Sequence, residues 1–241
     1  MSSAPIVRHA PPYWSFSGFW EGVRVTLPIL PSVFVFGAGF GANAAQKGLS
    51  FIEAVLMSAL VCAGASQFVA MEVWPDGMTL AALVTVTLVT TTVNLRMVLM
   101  SASLRPWFGV MPPWQIYPAL FFCSDSTWLL ASRYRAEGGS DVAMFLGVGV
   151  VTWVVWVAAS LIGYLVGALI ADPTRYGIDL ILPVFFVVML IPLWRGARAA
   201  IPWLVAGAVA LVASWVIPGW WFIIVGALAG SITGGFLDEP A

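Results

Sequence analysis

Two residues of opposite formal charge, Arg96 and Asp125, lie inside stretches that are otherwise apolar enough to cross a bilayer. A charge at that depth costs at least about 2.5 to 3.5 kcal/mol on insertion scales, so it must be paired, hydrated or put to use. Three readings follow: a structural ion pair between neighbouring helices, a substrate or coupling site, or an Arg96 that snorkels to the nearer interface and leaves Asp125 alone. Ahead of Arg96, the residues Thr87, Thr91 and Asn94 recur at helical spacing and line one face. Threonine hydroxyls can satisfy themselves on carbonyls one turn back, whereas Asn94 and Arg96 cannot. A second polar patch, Gly64-Ala65-Ser66-Gln67-Phe68, places a hydroxyl and a carboxamide inside another apolar stretch, and Asn43 can join it. Such groups bind an ammonium or a carboxylate without a net charge, or merely join helices.

Enzyme chemistry finds little to work with. The one histidine, His9, lies in a polar amino-terminal segment and the one lysine, Lys47, in a connection, so no metal site, Ser-His pair or buried Ser-Lys dyad can be assembled. Ser66 lacks the second glycine of a nucleophile elbow. Asp125 is the only acid deep in a span, and Glu21, Glu53 and Glu72 fall at or near span ends. Cys62 and Cys123 stand in apolar spans without a neighbouring ligand at metal spacing, which suits small hydrophobes. No cofactor is expected. The basic residues are scattered and the net charge is −1, which excludes a nucleic-acid surface.

The elements that must position these groups are membrane helices. Of 241 residues, 61% are hydrophobic and 9% charged, with a mean hydropathy of +0.98; a soluble domain is about a quarter charged. The fold class is therefore all-α, a polytopic bundle of about seven to eight transmembrane helices. Candidate spans are 27–46, 51–70, 78–102, 114–132, 142–171, 178–194, 199–217 and 220–236, each near the 20 or so residues a crossing needs. Residues 1–26 read as a cytoplasmic and interfacial segment rich in aromatics and without a signal-peptide pattern, 27–236 as the transporter domain, and 237–241 as a tail. With the amino terminus inside, Arg8, Arg24, Arg133, Arg135, Arg195 and Arg198 outnumber the outer Lys47, Arg105 and Arg175, as the positive-inside rule favours.

The first span carries Pro28, Pro31 and the alternating glycines Gly37, Gly39 and Gly41. This predicts a helix broken at mid-membrane whose freed backbone groups help to ligate a substrate, against the alternative of close helix packing. The segment 30–34 is faintly echoed at 182–186, as an inverted repeat would be. At 1.5 Å per residue, Arg96 lies about 9 Å and Asp125 about 16 Å from the face where their spans join. The difference is within reach of an arginine side chain.

The run Phe19-Trp20-Glu21-Gly22-Val23-Arg24, then Gly64-Ala65-Ser66-Gln67-Phe68, then Asn94-Leu95-Arg96, then Ser124-Asp125-Ser126 resembles the AzlC family, over about residues 18–235. These are the larger subunits of bacterial branched-chain amino acid exporters. The resemblance implies export of such amino acids across the inner membrane, together with a small hydrophobic AzlD-type partner. The chain departs from the family pattern at Met97 and Ser126, beside the two charges, which bears on substrate more than on family. A branched-chain amino acid is a zwitterion with an apolar tail. Arg96, or a helix amino terminus at the glycine-rich span, is expected to meet the carboxylate, and Asp125 with Ser66 and Gln67 the ammonium. Asp125 is also the expected proton-coupling group. Two rivals remain: a passive channel for a small solute, and a membrane scaffold whose ion pair only orients helices.

Overall fold

The computed structural model describes residues 14–75, 77, 79–169, 196–217 and 221–237, with Val184, Val187 and Trp194. Among these residues all the regular secondary structure is helical. In order, the helices are α1 (Phe16–Thr26), joined by a 3₁₀ turn (Leu27–Ile29) to α2 (Leu30–Gln46), then α3 (Phe51–Leu60), α4 (Gly64–Glu72), α5 (Leu80–Phe108), α6 (Pro113–Phe121), α7 (Asp125–Ala136), α8 (Ala143–Gly167), α9 (Ala197–Val216) and α10 (Trp221–Leu237). The chain forms two compact units, Met1–Asp179 and Leu180–Ala241. In the second, α9 and α10 pack through small residues: a Cβ on Gly226 would lie 2.8 Å from the Ala206 carbonyl oxygen. The expected span at 178–194 and the echo at 182–186 lie outside the described residues.

In the first unit, α8 serves as a ruler. The start of α1 is tied to the start of α8, where Asp141 accepts from the Ser15 hydroxyl and backbone N–H and also from the Ala143 N–H. Further along, a Cβ on Gly37 would sit 3.1 Å from the Trp156 carbonyl oxygen, one on Gly41 would strike the Ser160 carbonyl, and one on Gly163 that of Ala38. So α1–α2 runs beside α8 in the same direction. The glycines allow backbone-to-backbone contact of the kind that drives association in lipid. One expectation is corrected by this contact. The helix α2 passes unbroken through Gly37, Gly39 and Gly41, because α8 fills the space their missing side chains leave. Residues 16–26 form α1, which leads through the 3₁₀ turn into α2, and Phe16–Gln46 taken together is long and apolar enough to cross a membrane.

The next segment does not cross. Leu49 and Phe51 lie at the far end of α8, where the Tyr164 hydroxyl donates to the Leu49 carbonyl at 2.7 Å and the Phe51 and Tyr164 rings are 5.6 Å apart. From there α3 descends to the middle, where Trp153 Nε1 donates to the Ala59 carbonyl at 3.0 Å. The backbone then goes extended at Val61 (φ −111°, ψ 94°), and α4 turns back. Gly64 abuts the Trp156 ring, and Phe68 stacks on Phe36 at 4.5 Å and meets Phe40 at 5.9 Å. Phe40 adjoins Gly41, which faces Ser160, so α4 is heading for the face from which α3 came.

A mirror arrangement follows. The long helix α5 returns to the amino-terminal face, where Trp107 Nε1 donates to the Ser140 carbonyl at 2.9 Å and Phe108 packs on Phe145 at 5.0 Å. From that face α6 climbs to the middle, where Phe122 rests on Gly149 and on the Trp153 ring, 6.1 Å away. Then α7 comes back along α5: Asp125 pairs with Arg96, Trp128 Nε1 donates to the Ser103 hydroxyl at 2.8 Å, and Arg135 stands over the Trp107 ring at 5.6 Å. The stretches 51–70 and 114–132, read above as crossings, are therefore broken pairs that re-enter from opposite faces. They match residue for residue at one constant offset: Leu60 with Phe121, Cys62 with Cys123, Ala63 with Ser124 and Gly64 with Asp125. The inverted relation sits between these pairs. Among the described residues, the helices long and apolar enough to cross are Phe16–Gln46, Leu80–Phe108, Ala143–Gly167 and Ala197–Val216. Because α6–α7 returns, Arg105 joins Arg133 and Arg135 at the amino-terminal face, with Lys47 at the other.

Candidate functional site

A helix interrupted inside a membrane exposes carbonyls at one end and N–H groups at the other, and each must find a partner within the protein. At the first break, the Met57 carbonyl accepts from the Val61 N–H at 3.1 Å and from Gln67 Nε2 at 2.6 Å, and the Ala59 carbonyl accepts from Trp153. Ser66 donates its hydroxyl to the Ala63 carbonyl at 2.9 Å. The N–H groups that open α4 fare differently: Ala63 supplies no side-chain cap, and those of Gly64, Ala65 and Ser66 have no partner among the described residues. Gln67 is fully buried, and its Oε1 also lacks a partner. One turn earlier, the buried Ser58 hydroxyl is likewise unmatched.

The second break is finished differently. Ser124 caps α7, its hydroxyl accepting from the Thr127 N–H at 3.2 Å. Asp125 is the first residue of that helix, where a carboxylate complements the positive end of the helix dipole. Its Oδ2 lies 2.9 Å from Arg96 Nη2, with the aspartate and arginine side chains 15% and 28% exposed. The pair is thus largely covered yet not sealed. The contact is close in distance, but among the described residues Arg96 Nε and Nη2 are buried and make no aligned hydrogen bond, and Asn94 Oδ1 is also unmatched. Arg96 therefore keeps donor directions in reserve. It stands about 18 Å from the end of α5 at Phe108, well inside a hydrocarbon layer of about 30 Å.

The structure thus brings Asn94, Arg96 and Asp125 together at one break and Ser66 and Gln67 at the other, with α8 supporting both. Thr87 and Thr91 are exposed, while Thr90 and Thr92 donate to carbonyls one turn back. The sequence reading of α5 and the fourth stretch as antiparallel is corrected: Asp125 belongs to α7, which runs parallel to α5. The reading also missed Trp153 and Trp156. Trp153 touches both breaks at once, through its N–H to Ala59 and its ring to Phe122. Tryptophan in a long apolar helix carries no sequence signal that separates such a role from core filling. Finally, an apolar pocket of about 500 Å³ extends from Trp14 and Trp114 at the amino-terminal face to Phe122 at the second break, lined also by Gln115 and Leu146.

Helices long and apolar enough to span, broken pairs that re-enter from opposite faces and a charge pair held between them define a polytopic membrane protein. The chain belongs to the AzlC family, whose model, described as AzlC protein, matches residues 28–170. It is 27% identical over 225 residues to an uncharacterized membrane protein of Archaeoglobus fulgidus, covering 92% of this chain and 96% of the relative. It is also 27% identical over 172 residues to an uncharacterized membrane protein of Helicobacter pylori, covering 71% of this chain and 73% of that one. A shorter match, 45% identical over 51 residues and 21% of each chain, is to the inner membrane protein YgaZ of Escherichia coli. No solved structure matches. Family and relatives together support a role related to membrane transport.

Proposed function

We propose that this protein exports branched-chain amino acids (leucine, isoleucine, valine and analogues such as methionine) across the bacterial inner membrane, as the larger subunit of a carrier completed by a small hydrophobic AzlD-type partner, and that protons drive the export. The observation that carries this reading is the Arg96–Asp125 pair at 2.9 Å, held at mid-depth where a re-entrant helix starts. A broken helix is a common way to build a substrate site in a secondary transporter. Asp125 takes the substrate ammonium, and Arg96, Asn94, Ser66 and Gln67 complete the polar surround.

Because arginine stays protonated, Asp125 is the group that can change charge. Ionised, it holds Arg96; protonated, it lets the guanidinium go, and alternation between these states couples proton movement to turnover. Arg105, Arg133 and Arg135 at one face against Lys47 at the other support a cytoplasmic amino-terminal face. The pocket between Trp14 and Phe122 then opens on the loading side for an exporter. The inner-membrane name of the Escherichia coli relative supports the location.

The test is transport in proteoliposomes holding the chain with its small hydrophobic partner under an imposed proton gradient. The native protein should accumulate leucine against its gradient, and Asp125→Asn should abolish the accumulation. Equilibration without accumulation by the native protein would indicate a channel, and undiminished coupling in Asp125→Asn would remove Asp125 from the mechanism.

A further inference from the structure

The two half-helices that start at mid-membrane present opposite chemistry. Both α4 and α7 point a positive dipole end and a set of free N–H groups toward the centre of the unit. In α7 that end is already answered by the Ser124 cap and the Asp125 carboxylate. In α4 it is bare: alanine stands where Ser124 stands in the other pair, glycine where Asp125 stands, and no acid occupies the first turn. Unsatisfied N–H groups in a membrane cost several kcal/mol each, so a helix start with no side-chain cap favours an anion or another acceptor beside it.

A second feature points the same way. Gln67 reaches across the break to the Met57 carbonyl through Nε2, which fixes the amide orientation and leaves Oε1 as a fully buried acceptor without a donor among the described residues. Bare donors and an orphaned acceptor in one helical turn are the complement of an α-amino acid head group. The surround is apolar and aromatic: Phe36, Phe68 and Trp156 adjoin this turn, with the Trp156 ring against Gly64.

We propose that the amino terminus of α4 is the carboxylate subsite: the N–H groups of Gly64, Ala65 and Ser66 bind the α-carboxylate of the transported amino acid, and Gln67 Oε1 accepts from its ammonium. The proposal rests on the amino acid reading above and sharpens it. Arg96 is thereby released from substrate binding and acts as the counter-ion of Asp125.

The test is equilibrium binding to the full chain in lipid nanodiscs with three probes: L-leucine, 4-methylpentanoate, which lacks the ammonium, and 3-methylbutylamine, which lacks the carboxylate. Ala63→Asp places a carboxylate where it caps α4 from within and so competes with the substrate. It should weaken leucine and 4-methylpentanoate by about ten- to hundredfold, whereas 3-methylbutylamine, a cation beside the new carboxylate, should not be weakened. Ala63→Ser, a smaller and uncharged cap, should weaken the same two probes by about three- to tenfold and guards against misfolding of the charged variant. Leucine binding that is unchanged in both variants overturns the subsite alone. A native protein that binds none of the three probes overturns the amino acid reading and the subsite with it.

Discussion

The two breaks share one backbone plan and differ in how their ends are finished. The second is closed by its own side chains, with Ser124 on the Thr127 N–H and Asp125 at the dipole end paired with Arg96. The first is closed on its carbonyl side, by Gln67 and Trp153, and open on its N–H side. One plan inverted across the membrane thus yields an anionic end and an anion-seeking end. The lesson is that in a low-dielectric site function resides in which backbone groups a sequence leaves unanswered as much as in the charges it adds.

The largest expected effect comes from unbalancing the charged break. Arg96→Ala leaves Asp125 uncompensated and should cost about 3 to 5 kcal/mol, read as a lowered thermal unfolding midpoint in detergent. The exchange Arg96→Asp with Asp125→Arg should recover part of that loss. A native-like midpoint for Arg96→Ala would show that the pair contributes nothing. Next is the support both breaks share. Gly41→Ala drives a methyl into the Ser160 carbonyl of α8 and should destabilise by about 1 to 3 kcal/mol; denaturant titration of the purified chain checks it.

Trp153→Phe keeps the ring near Phe122 but removes the donor to Ala59. A buried carbonyl left unmatched costs about 1 to 3 kcal/mol, so the midpoint should fall while the α6–α7 side holds, as hydrogen exchange at Met57–Ala63 against Phe121–Thr127 would show. The smallest effect separates the two ends most sharply. Ser124→Ala should lose about 1 kcal/mol by uncapping α7, whereas Ala63→Ser should gain stability by capping α4 in the absence of ligand. Stabilities that move in the same direction would mean the two helix starts are equivalent.

Much of the site was legible because charge in hydrocarbon is conspicuous. Arg96, Asp125, Asn94, Ser66 and Gln67 stand out against apolar neighbours, and the counting of depths placed the two charges within reach of each other. The breaks were not legible in the same way. Val61-Cys62-Ala63 contains no glycine or proline, while Gly37, Gly39 and Gly41 advertise a break and form none. A glycine in a membrane helix is either a weakness or a contact surface, and only the carbonyls of α8 decide which. Re-entry was hidden for a related reason: hydropathy is the same whether an apolar stretch crosses or folds back, so Arg105 was assigned to the wrong face along with it. The capping serine at 124 was the available clue, since Ser-Asp-Ser-Thr reads as a helix start as readily as a polar patch.

Everything above depends on α3–α4 and α6–α7 each returning to the face they enter. That return is tested most directly by single cysteines at Lys47, Gly77, Val110 and Glu137, in a chain with Cys62 and Cys123 replaced by alanine, labelled with an impermeant maleimide in right-side-out and inverted vesicles. Positions 47 and 77 should react from one face and 110 and 137 from the other. Positions 47 and 77 on opposite faces, or 110 and 137 on opposite faces, would contradict it.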